Sequence, residues 1–405
     1  MSLVANRLKV IKASPTLAVS AKAAKLKAEG KDVIAMGAGE PDFDTPQFIK
    51  DAAIAAMNKG LTKYTPAGGT TSLKKAIVAK FKRENGLDYS EKQILVSCGG
   101  KQTSFNLCMA LLNPGDEAII PAPYWVSYPD MAMMADGKPV FVSTGIEQGF
   151  KMTPQQLERA ITPKTRLIWI NSPSNPTGAV YTAAELKALG EVLLKHPRIV
   201  IATDDMYEHI LLDGSKFVSI LNVCPELHPR TVTMNGVSKA YSMTGWRIGY
   251  CGGPLELIEA MENVQSHSTS NPTSISQYAA EAALTGDQSC IDPMVAAFKE
   301  RAAVVTEGLN RIPGVKCLMP AGAFYAFPDC REAIKNLHAA GRIAAPTDLA
   351  LCDYLLAQPR AVAAVPGSAF GAEGYLRISF ATSMDNIRKA VERMGEALSV
   401  QRVAA

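Results

Sequence analysis

Short apolar runs alternate with helical patterns through the middle of the chain. Six runs of four or five residues indicate buried strands, at 93–97, 117–120, 140–143, 167–171, 199–203 and 231–234. Helical patterns lie between several of them, notably at 100–112 and at 183–195, where apolar residues recur three and four positions apart. Short apolar strands separated by helices are typical of a mainly parallel sheet covered on both faces.

The two ends of the chain follow a different pattern. Residues 19–29 predict an amphipathic helix, and residues 293–311 predict a long helix that stops near Gly314. The tail from Pro346 predicts helix, strand, strand and helix, which is an α+β arrangement. We therefore predict a large domain over 46–290 and a smaller domain formed by 1–45 and 291–405. A ligand site is expected at their junction, beyond the carboxyl ends of the strands.

Composition narrows the class of protein. The 405 residues are 47% hydrophobic and 20% charged, with a formal net charge of +4, which is typical of a globular protein and gives no reason to expect nucleic-acid binding. No signal peptide or membrane span is predicted. The eight cysteines form no C-x-x-C pair, which argues against a structural metal site and favours a reducing compartment. We predict a cytoplasmic enzyme without a metal.

The run S-K-A-Y-S-M-T-G-W-R-I-G-Y carries the most chemical information. It places Lys239 beside small and polar residues, with Arg247 eight positions later. A lysine that forms a Schiff base needs close backbone approach, a nearby anion anchor and relief from its charge. The alternative is a solvated Lys and Arg pair beside a strand.

Two loops that follow strands offer ligand contacts. Gly99 and Gly100 stand at a strand-to-helix turn, where exposed N–H groups favour a phosphate. The loop 171–178 contains two X-Pro bonds, which indicate a rigid turn with a possible cis bond that would aim Asn175 at a ligand oxygen. The alternatives are a tight turn without a ligand and an Asx turn.

Acidic and aromatic residues follow two other strands. Asp204 could keep a pyridine nitrogen protonated, and Tyr207 could bond a ring hydroxyl. The alternative is that Asp204 and Asp205 cap a following helix, and for Asp205 we expect a cap or an exposed position. Trp125 could stack on a heterocycle or could belong to the core.

Arg377 lies on the alternating strand predicted at 375–379 near the C-terminus. Its guanidinium could grip a carboxylate through two parallel hydrogen bonds. The alternative is an arginine on the solvent face of an edge strand.

In this order the segments resemble the fold-type I pyridoxal-phosphate aminotransferases, and among them the aspartate aminotransferases of the Iβ subgroup. The resemblance extends from Thr16 to beyond Arg377. Its motifs are G-A-G-E-P-D-F-D-T-P (37–46), T-K-Y-T-P (62–66), G-G-K-Q (99–102), P-Y-W-V-S-Y (123–128), S-P-S-N-P-T-G (172–178), D-D-M-Y-E-H (204–209), S-K-A-Y-S-M-T-G-W-R-I-G-Y (238–250) and L-R-I-S-F (376–380). It implies an α/β fold with a mainly parallel seven-stranded sheet and a smaller α+β domain.

The resemblance also implies roles at the cofactor ring. Lys239 would join pyridoxal 5′-phosphate covalently and later move a proton between the substrate α-carbon and the cofactor. Asp204 would pair with the pyridine nitrogen, and Tyr207 and Asn175 would contact the ring O3′. Trp125 would stack on the ring.

For the phosphate, the resemblance implies a surrounding set made of Arg247, Gly99, Gly100 and Lys101. Tyr64 would reach the phosphate from a second subunit, which implies a homodimer with shared active sites. Gly236 departs from the many relatives that carry a phosphate-binding serine three residues before the lysine. Either one hydrogen bond is lost here or Ser238 replaces it.

For the substrate, the resemblance implies two anion sites. Arg377, with Gly39 and Asn175, would hold the α-carboxylate, and Trp125 would contact the substrate from the ring side.

The distal carboxylate would be met by Lys101, helped by Ser14 and Thr16. The implied reaction moves an amino group between L-aspartate and 2-oxoglutarate by a ping-pong mechanism.

Three alternatives remain at this point. The first is an aminotransferase that accepts prephenate or aromatic substrates. The second is a pyridoxal-phosphate lyase or decarboxylase on the same scaffold. The third is a regulator with an aminotransferase-like domain, for which the few dozen residues before the motifs leave no room for a DNA-binding module.

Overall fold

A computed structural model describes residues 3–11 and 13–399. The strands are β1 Asp32–Ala35, β2 Ile94–Ser97, β3 Glu117–Ala122, β4 Lys138–Ser143, β5 Thr165–Asn171, β6 Val200–Asp204, β7 Thr231–Gly236, β8 Gly249–Gly252, β9 Tyr325–Ala326, β10 Arg360–Ala363, β11 Val365–Pro366 and β12 Leu376–Ser379. The α-helices are α1 Pro15–Ala28, α2 Gln47–Asn58, α3 Thr71–Lys80, α4 Gly100–Leu111, α5 Ser127–Met134, α6 Pro154–Ala160, α7 Ala183–Leu194, α8 Ile220–Val223, α9 Leu255–Ser266, α10 Ser274–Thr285, α11 Asp292–Asn310, α12 Arg331–Ala339, α13 Asp348–Ala357 and α14 Met384–Leu398.

A seven-stranded sheet forms the centre of the molecule, in the order β2-β8-β7-β6-β5-β3-β4. Strands β4, β3, β5, β6 and β7 pair in parallel, while β8 runs antiparallel to both β7 and β2. This confirms the α/β fold with a mainly parallel seven-stranded sheet. The six predicted strands are present. The seventh strand, β8, has the sequence Gly-Tyr-Cys-Gly and lacks the apolar run that marks the others.

The sheet is buried on both faces. On β5, Ile168 and Ile170 belong to one hydrophobic cluster, while Leu167 and Trp169 belong to another on the opposite face. Alternate side chains of a strand point to opposite faces, so helices must cover both. This explains why the strands are continuous apolar runs.

Local capping sets the start of α7, one of the covering helices. The Thr182 side chain accepts from the Glu185 backbone N–H, and the Glu185 carboxylate accepts from the Thr182 backbone N–H. This reciprocal pair satisfies two N–H groups that the helix itself leaves free. The apolar face of α7 then packs into the core, in agreement with the spacing seen in the sequence.

Segments from the two ends of the chain form two smaller sheets. Strand β1 pairs in parallel with β10, so residues near the N-terminus bond to residues near the C-terminus. Strand β12 lies between β11 and β9 in an antiparallel sheet. These pairings support the predicted small domain of 1–45 and 291–405, whose boundaries with 46–290 stay a prediction.

Three expectations about the ends need adjustment. Helix α1 begins at Pro15, earlier than the predicted residue 19, because a proline is well suited to the first turn of a helix. Helix α11 lies one residue earlier than predicted at both ends. The tail contains three strands where two were predicted, since β11 has two residues and is too short to leave a pattern. No helix within 3–11 and 13–399 is both long and apolar enough to cross a bilayer.

Candidate active site

A cavity of about 510 Å³ lies beyond the carboxyl ends of the central strands, where segments from both ends of the chain meet the sheet. The predicted site residues that line it are Ser14, Thr16, Gly39, Gly100, Lys101, Trp125, Asn175, Asp204, Tyr207, Ser238, Lys239, Arg247 and Arg377. Gly99 and Tyr64 are not among the lining residues. Those that follow β3, β5, β6 and β7 meet because the carboxyl ends of parallel strands share one edge of the sheet, whereas Ser14, Thr16, Gly39 and Arg377 come from the segments near the two ends of the chain.

Lys239 follows β7 and is largely buried in the cavity wall. Its Nζ donates to the carbonyl oxygen of Gly39 at 2.5 Å. Burial, together with the positive charges of Arg377 and Arg247, lowers the pKa of the Lys239 ammonium to about 8, although Glu40 acts in the opposite direction. A lysine with a lowered pKa is a competent nucleophile and proton acceptor near neutral pH.

Asp204 ends β6 and lines the same cavity. Tyr128 Oη donates to Asp204 Oδ2 at 2.6 Å, and the Met206 backbone N–H approaches Oδ1 at 3.4 Å. Burial raises the pKa of the Asp204 carboxyl, and these two hydrogen bonds oppose that rise. A buried carboxylate of this kind favours a cationic partner in the cavity.

Tyr128 is a site residue that the sequence reasoning missed. It lies in the motif P-Y-W-V-S-Y, is 2% exposed, and stacks on Trp169 with ring centroids 4.9 Å apart. Burial and the Asp204 charge raise the pKa of the Tyr128 hydroxyl well above its usual range, so this hydroxyl stays a donor. Its ring also meets Trp125 edge-on at 5.2 Å. The only feature of the sequence that points to Tyr128 is its place as an aromatic residue one helical turn after Trp125.

Tyr207 extends into the cavity from the turn after β6. Its hydroxyl shares a hydrogen bond of 2.9 Å with the hydroxyl of Tyr325, a second lining residue that the sequence reasoning did not single out. Burial, reinforced by Tyr325, raises the pKa of Tyr207 well above its usual range. Both hydroxyls therefore remain protonated, and because one of them donates to the other, one hydrogen is left to donate to a ligand oxygen.

Arg377 is buried on the central strand of the antiparallel sheet, at 2% exposure, so the solvent-face alternative is wrong. Its Nη1 donates to Asn175 Oδ1 at 3.0 Å and its Nη2 donates to the Gly37 carbonyl at 2.9 Å. Its Nε is buried and has no hydrogen-bond partner among the residues that the structure describes. A buried guanidinium with an unused donor favours an anionic ligand.

Gly99 and Gly100 form the start of α4 beside Arg247. Gly99 has φ +88°, and a Cβ there would collide with the Arg247 guanidinium. A Cβ on Gly100 would lie 2.7 Å from Met206 Cε. Glycine at 99 therefore lets the guanidinium lie close to the backbone at the start of α4, where a cation and free N–H groups both favour an anion.

Lys101 and Thr16 add polar groups on the side of the cavity near Trp125. Lys101 Nζ lies 5.2 Å from the centroid of the Trp125 ring. Burial and the Arg247 charge lower the pKa of Lys101. Within 3–11 and 13–399, Thr16 Oγ1 is buried without a hydrogen-bond partner, and Ser14 also lines the cavity. These groups are available to a polar ligand.

Gly236 cannot be replaced by a serine without movement of its surroundings. A Cβ there would lie 3.0 Å from Met206 Cε and 3.1 Å from both Gly249 Cα and the Ile248 carbonyl oxygen. Ser238 lines the cavity and is 5% exposed. The position of Ser238 is therefore compatible with the second of the two possibilities given above, in which Ser238 replaces the hydrogen bond of the absent serine.

Asp205 does not occupy the position expected for it. The structure has neither a helix cap nor solvent there, because the side chain is 3% exposed and its Oδ2 accepts a hydrogen bond of 3.4 Å from Thr203 Oγ1. Successive side chains at the end of β6 point to opposite faces, so Asp204 enters the cavity and Asp205 enters the interior. Burial, with the charges of Glu208 and Asp204, raises the pKa of Asp205 well above its usual range.

The predicted rigid loop after β5 has cis bonds at both Ser172–Pro173 and Asn175–Pro176. Asn171 Oδ1 accepts from the Asn175 backbone N–H at 2.8 Å, and Asn171 Nδ2 donates to the Asp204 carbonyl at 2.9 Å. The loop is thereby bonded to the end of β6. Asn175 faces the cavity as expected, and its side chain is oriented by Arg377.

Similarity to known proteins agrees with this site. A model of the family described as "Aminotransferase class I and II" matches residues 31–394. The chain belongs to the class I and II aminotransferases. It is an enzyme with transaminase activity.

Relatives and solved structures cover nearly all of the chain. A Nitrosomonas europaea protein named aspartate/prephenate aminotransferase is 64% identical over 97% of this chain and 99% of its own length. A Geobacillus stearothermophilus aspartate aminotransferase is 52% identical over 96% of this chain and 97% of its own length. The crystal structure of the Rhizobium meliloti aspartate aminotransferase superposes with a TM-score of 0.92 at 50% identity, covering 98% of this chain and 99% of that one. The Thermus thermophilus aspartate aminotransferase with maleate gives 0.91 at 43% identity, covering 98% and 100%.

Proposed function

We propose that this aminotransferase uses pyridoxal 5′-phosphate to move an amino group between L-aspartate and 2-oxoglutarate. The observation that carries the proposal is that Arg377 and Lys101 line the same cavity as Lys239, whose pKa is lowered to about 8. Aspartate and 2-oxoglutarate each carry two carboxylates. Two cationic groups in one cavity provide a partner for each.

The residues present fit pyridoxal phosphate. The glycine turn at Gly99, held against Arg247, suits a phosphate, and the buried carboxylate of Asp204 suits a protonated ring nitrogen. Trp125 lines the cavity and offers a flat face for stacking. When bound, the cofactor supplies an aldehyde that takes up the amino group and a ring that accepts electron density.

Lys239 is proposed as the covalent anchor and the proton carrier. With a pKa of about 8, an appreciable fraction of its amine is unprotonated near neutral pH. Its Nζ then removes the proton from the substrate α-carbon and donates a proton in the reverse half-reaction. The Gly39 carbonyl, which accepts from Nζ, orients it in the cavity wall.

The groups around Lys239 are proposed to bind and to orient. Asp204 holds the ring nitrogen in its protonated form, and the Tyr207 hydroxyl and the Asn175 amide bind the ring oxygen. The free Nε of Arg377 is available to the substrate α-carboxylate. Because that guanidinium is already fixed by Asn175 and Gly37, little side-chain freedom is lost on binding.

At the other end of the substrate, Lys101 is proposed to meet the distal carboxylate. Ser14 and Thr16 line the same cavity and are proposed to assist it. The buried and unpaired hydroxyl of Thr16 supports this, since buried polar groups usually have a partner when the site is filled.

A homodimer with shared active sites is also proposed. Tyr64 is 90% exposed and does not line the cavity of its own chain, which suits a residue that serves a second copy. The proposed location is the cytoplasm, in agreement with eight free cysteines.

Substrate selectivity tests the proposal directly. In Lys101→Met we expect kcat/KM for aspartate to fall at least about tenfold while that for alanine changes little, because only aspartate has a second carboxylate. In Arg377→Lys both substrates should lose rate, because both have an α-carboxylate. Equal losses for the two substrates in Lys101→Met would contradict the assignment of Lys101.

Prephenate is a second candidate amino acceptor. The Nitrosomonas europaea relative at 64% identity is named for both aspartate and prephenate. Prephenate also carries two carboxylates, and a cavity of about 510 Å³ has room for its ring. Steady-state rates with oxaloacetate and prephenate as competing acceptors separate a shared activity from an aspartate-only enzyme.

A further inference from the structure

The carboxylate of Glu208 binds side chains from several segments of the chain and has no role in the proposed chemistry. Glu208 directly follows Tyr207 and is 5% exposed. Its Oε1 accepts from Asn235 Nδ2 at 2.8 Å, and its Oε2 accepts from Asn85 Nδ2 at 2.6 Å. Lys80, which is fully buried, forms an ion pair with the same carboxylate. These three partners are all buried.

The two asparagines make similar hydrogen bonds but lie on different structural elements. Asn235 lies on β7, four residues before Lys239, and its Oδ1 accepts from the Gly236 backbone N–H at 2.7 Å. Asn85 ends the π-helical segment Phe81–Asn85, and its Oδ1 accepts from Lys80 Nζ at 2.7 Å. Each amide thus donates one bond to Glu208 and accepts one other.

The Asn235 contact joins two segments just where the sheet stops joining them. The β6–β7 ladder ends with Asp204 opposite Met234, followed by one hydrogen bond from the Asp205 N–H to the Met234 carbonyl at 2.9 Å. Beyond that point the segment after β6 turns through Tyr207, and the segment after β7 continues to Lys239. The bond between Glu208 and Asn235 connects them across this divergence.

Resting on the proposed function, we infer that Asn235, through Glu208, is a positioning residue that fixes Lys239 relative to Asp204 and Tyr207. A hydrogen bond to a buried charge holds its partners closely, and small displacements of reacting groups are costly to catalysis. Asn85 binds the same carboxylate but anchors it to the helical layer. Its loss should therefore weaken the fold without moving Lys239.

The test compares Asn235→Ala with Asn85→Ala in the full-length holoenzyme. Three quantities are measured for each: the melting temperature, the dissociation constant for pyridoxal 5′-phosphate from its visible absorbance, and kcat and KM for aspartate. Borohydride reduction followed by peptide mapping of the wild type first establishes whether the cofactor is joined to Lys239. If either alanine variant fails to fold, the pair Asn235→Ser and Asn85→Ser is compared in the same way.

We expect both variants to lower the melting temperature similarly. Only Asn235→Ala should weaken pyridoxal phosphate binding and lower kcat, each on the order of tenfold, with KM for aspartate unchanged. Equal changes in cofactor affinity and kcat in the two variants, or none in either, would overturn the inference while the label on Lys239 still supported the proposed function. A wild type without label on Lys239 would instead overturn the proposed function.

Discussion

Lys80 is fully buried and Lys239 is partly buried, and the two lysines have different surroundings. Lys80 is fully buried among anions and amide oxygens: it pairs with Glu208, lies 3.5 Å from Glu84 and donates to Asn85. Lys239 donates to a backbone carbonyl and has the arginine charges of the cavity near it. For Lys239, burial and the arginine charges together lower the pKa to about 8.

The carboxylates beside the two lysines show the same contrast. Burial alone would raise the pKa of Glu208, yet Lys80, His209 and the amide donors lower it, so Glu208 is a stable anion. Burial raises the pKa of Asp204, whose hydrogen bonds compensate only in part. The Glu208 carboxylate already has its cationic partner, Lys80, inside the protein. The Asp204 carboxylate, by contrast, lines the cavity and is available to a cationic ligand.

Removal of the catalytic amine should have the largest effect. We expect Lys239→Ala to lower kcat by about 10⁴-fold or more, because general acid–base catalysis contributes up to about that factor and covalent anchoring adds to it. Its melting temperature should be unchanged or higher, because the variant removes a charge that burial disfavours. Turnover close to wild type would show that Lys239 is not the reactive lysine.

Removal of the structural amine should instead destabilise the fold. Lys80→Met leaves the Glu208 carboxylate buried without its cation, at an expected cost of about 3–5 kcal/mol in the free energy of unfolding, measured with urea. The control is Lys22→Met, which breaks an exposed pair with Asp353 and should cost about 0–1 kcal/mol. Similar costs in the two variants would mean that the Lys80 cluster is not a stabilising ion pair.

The hydrogen bond from Tyr128 to Asp204 is the next interaction to test. Tyr128→Phe keeps the stacking on Trp169 but removes the donor, and bonds to charged groups contribute about 1.5–3 kcal/mol. We expect kcat to fall roughly 10- to 100-fold and pyridoxal phosphate to bind more weakly.

Tyr89→Phe is the matched control, since it removes the hydrogen bond of another buried tyrosine hydroxyl, 2.9 Å from Thr233 Oγ1. It should affect stability alone. Equal kinetic effects in Tyr128→Phe and Tyr89→Phe would contradict a specific role for the hydrogen bond from Tyr128 to Asp204.

The pH dependence of Lys239 should give the smallest but most direct signal. Its folded pKa of about 8 lies below the ordinary value, so the amine is mostly protonated below pH 8 and mostly free above it. The rate at which the apoenzyme captures pyridoxal phosphate should therefore rise with pH and reach half its maximum near pH 8. A midpoint near the ordinary lysine value of about 10.4 would contradict the environment described for this group.

The strands and the residues at their ends were predictable because both depend on local patterns. Runs such as 167–171 must be apolar to lie inside a parallel sheet, and polar residues placed directly after them, such as Asp204, must meet at one edge. Strand β8 escaped prediction because its glycines are needed for close packing. Adding a Cβ to Gly249 would produce a collision with the backbone of Gly99 and Gly100.

The supporting residues could not be found in the same way. Tyr128 and Asn235 take their importance from partners 76 and 27 residues away in the chain, Asp204 and Glu208. Asp205 stands beside Asp204 in sequence, yet it points to the opposite face of the sheet. No local pattern distinguishes such residues from ordinary core or turn residues.

The sequence by itself determined the α/β class, the order of the strands along the chain and the residue types that can bind a phosphate, a carboxylate and an aldehyde. These follow from hydrophobic periodicity and side-chain chemistry, which are local properties. Only the tertiary structure decided which lysine pairs with a buried carboxylate and which lies beside the arginines of the cavity, and which aspartate enters the cavity. Electrostatic energies depend on distance and burial in space, and neither is fixed until the chain has folded.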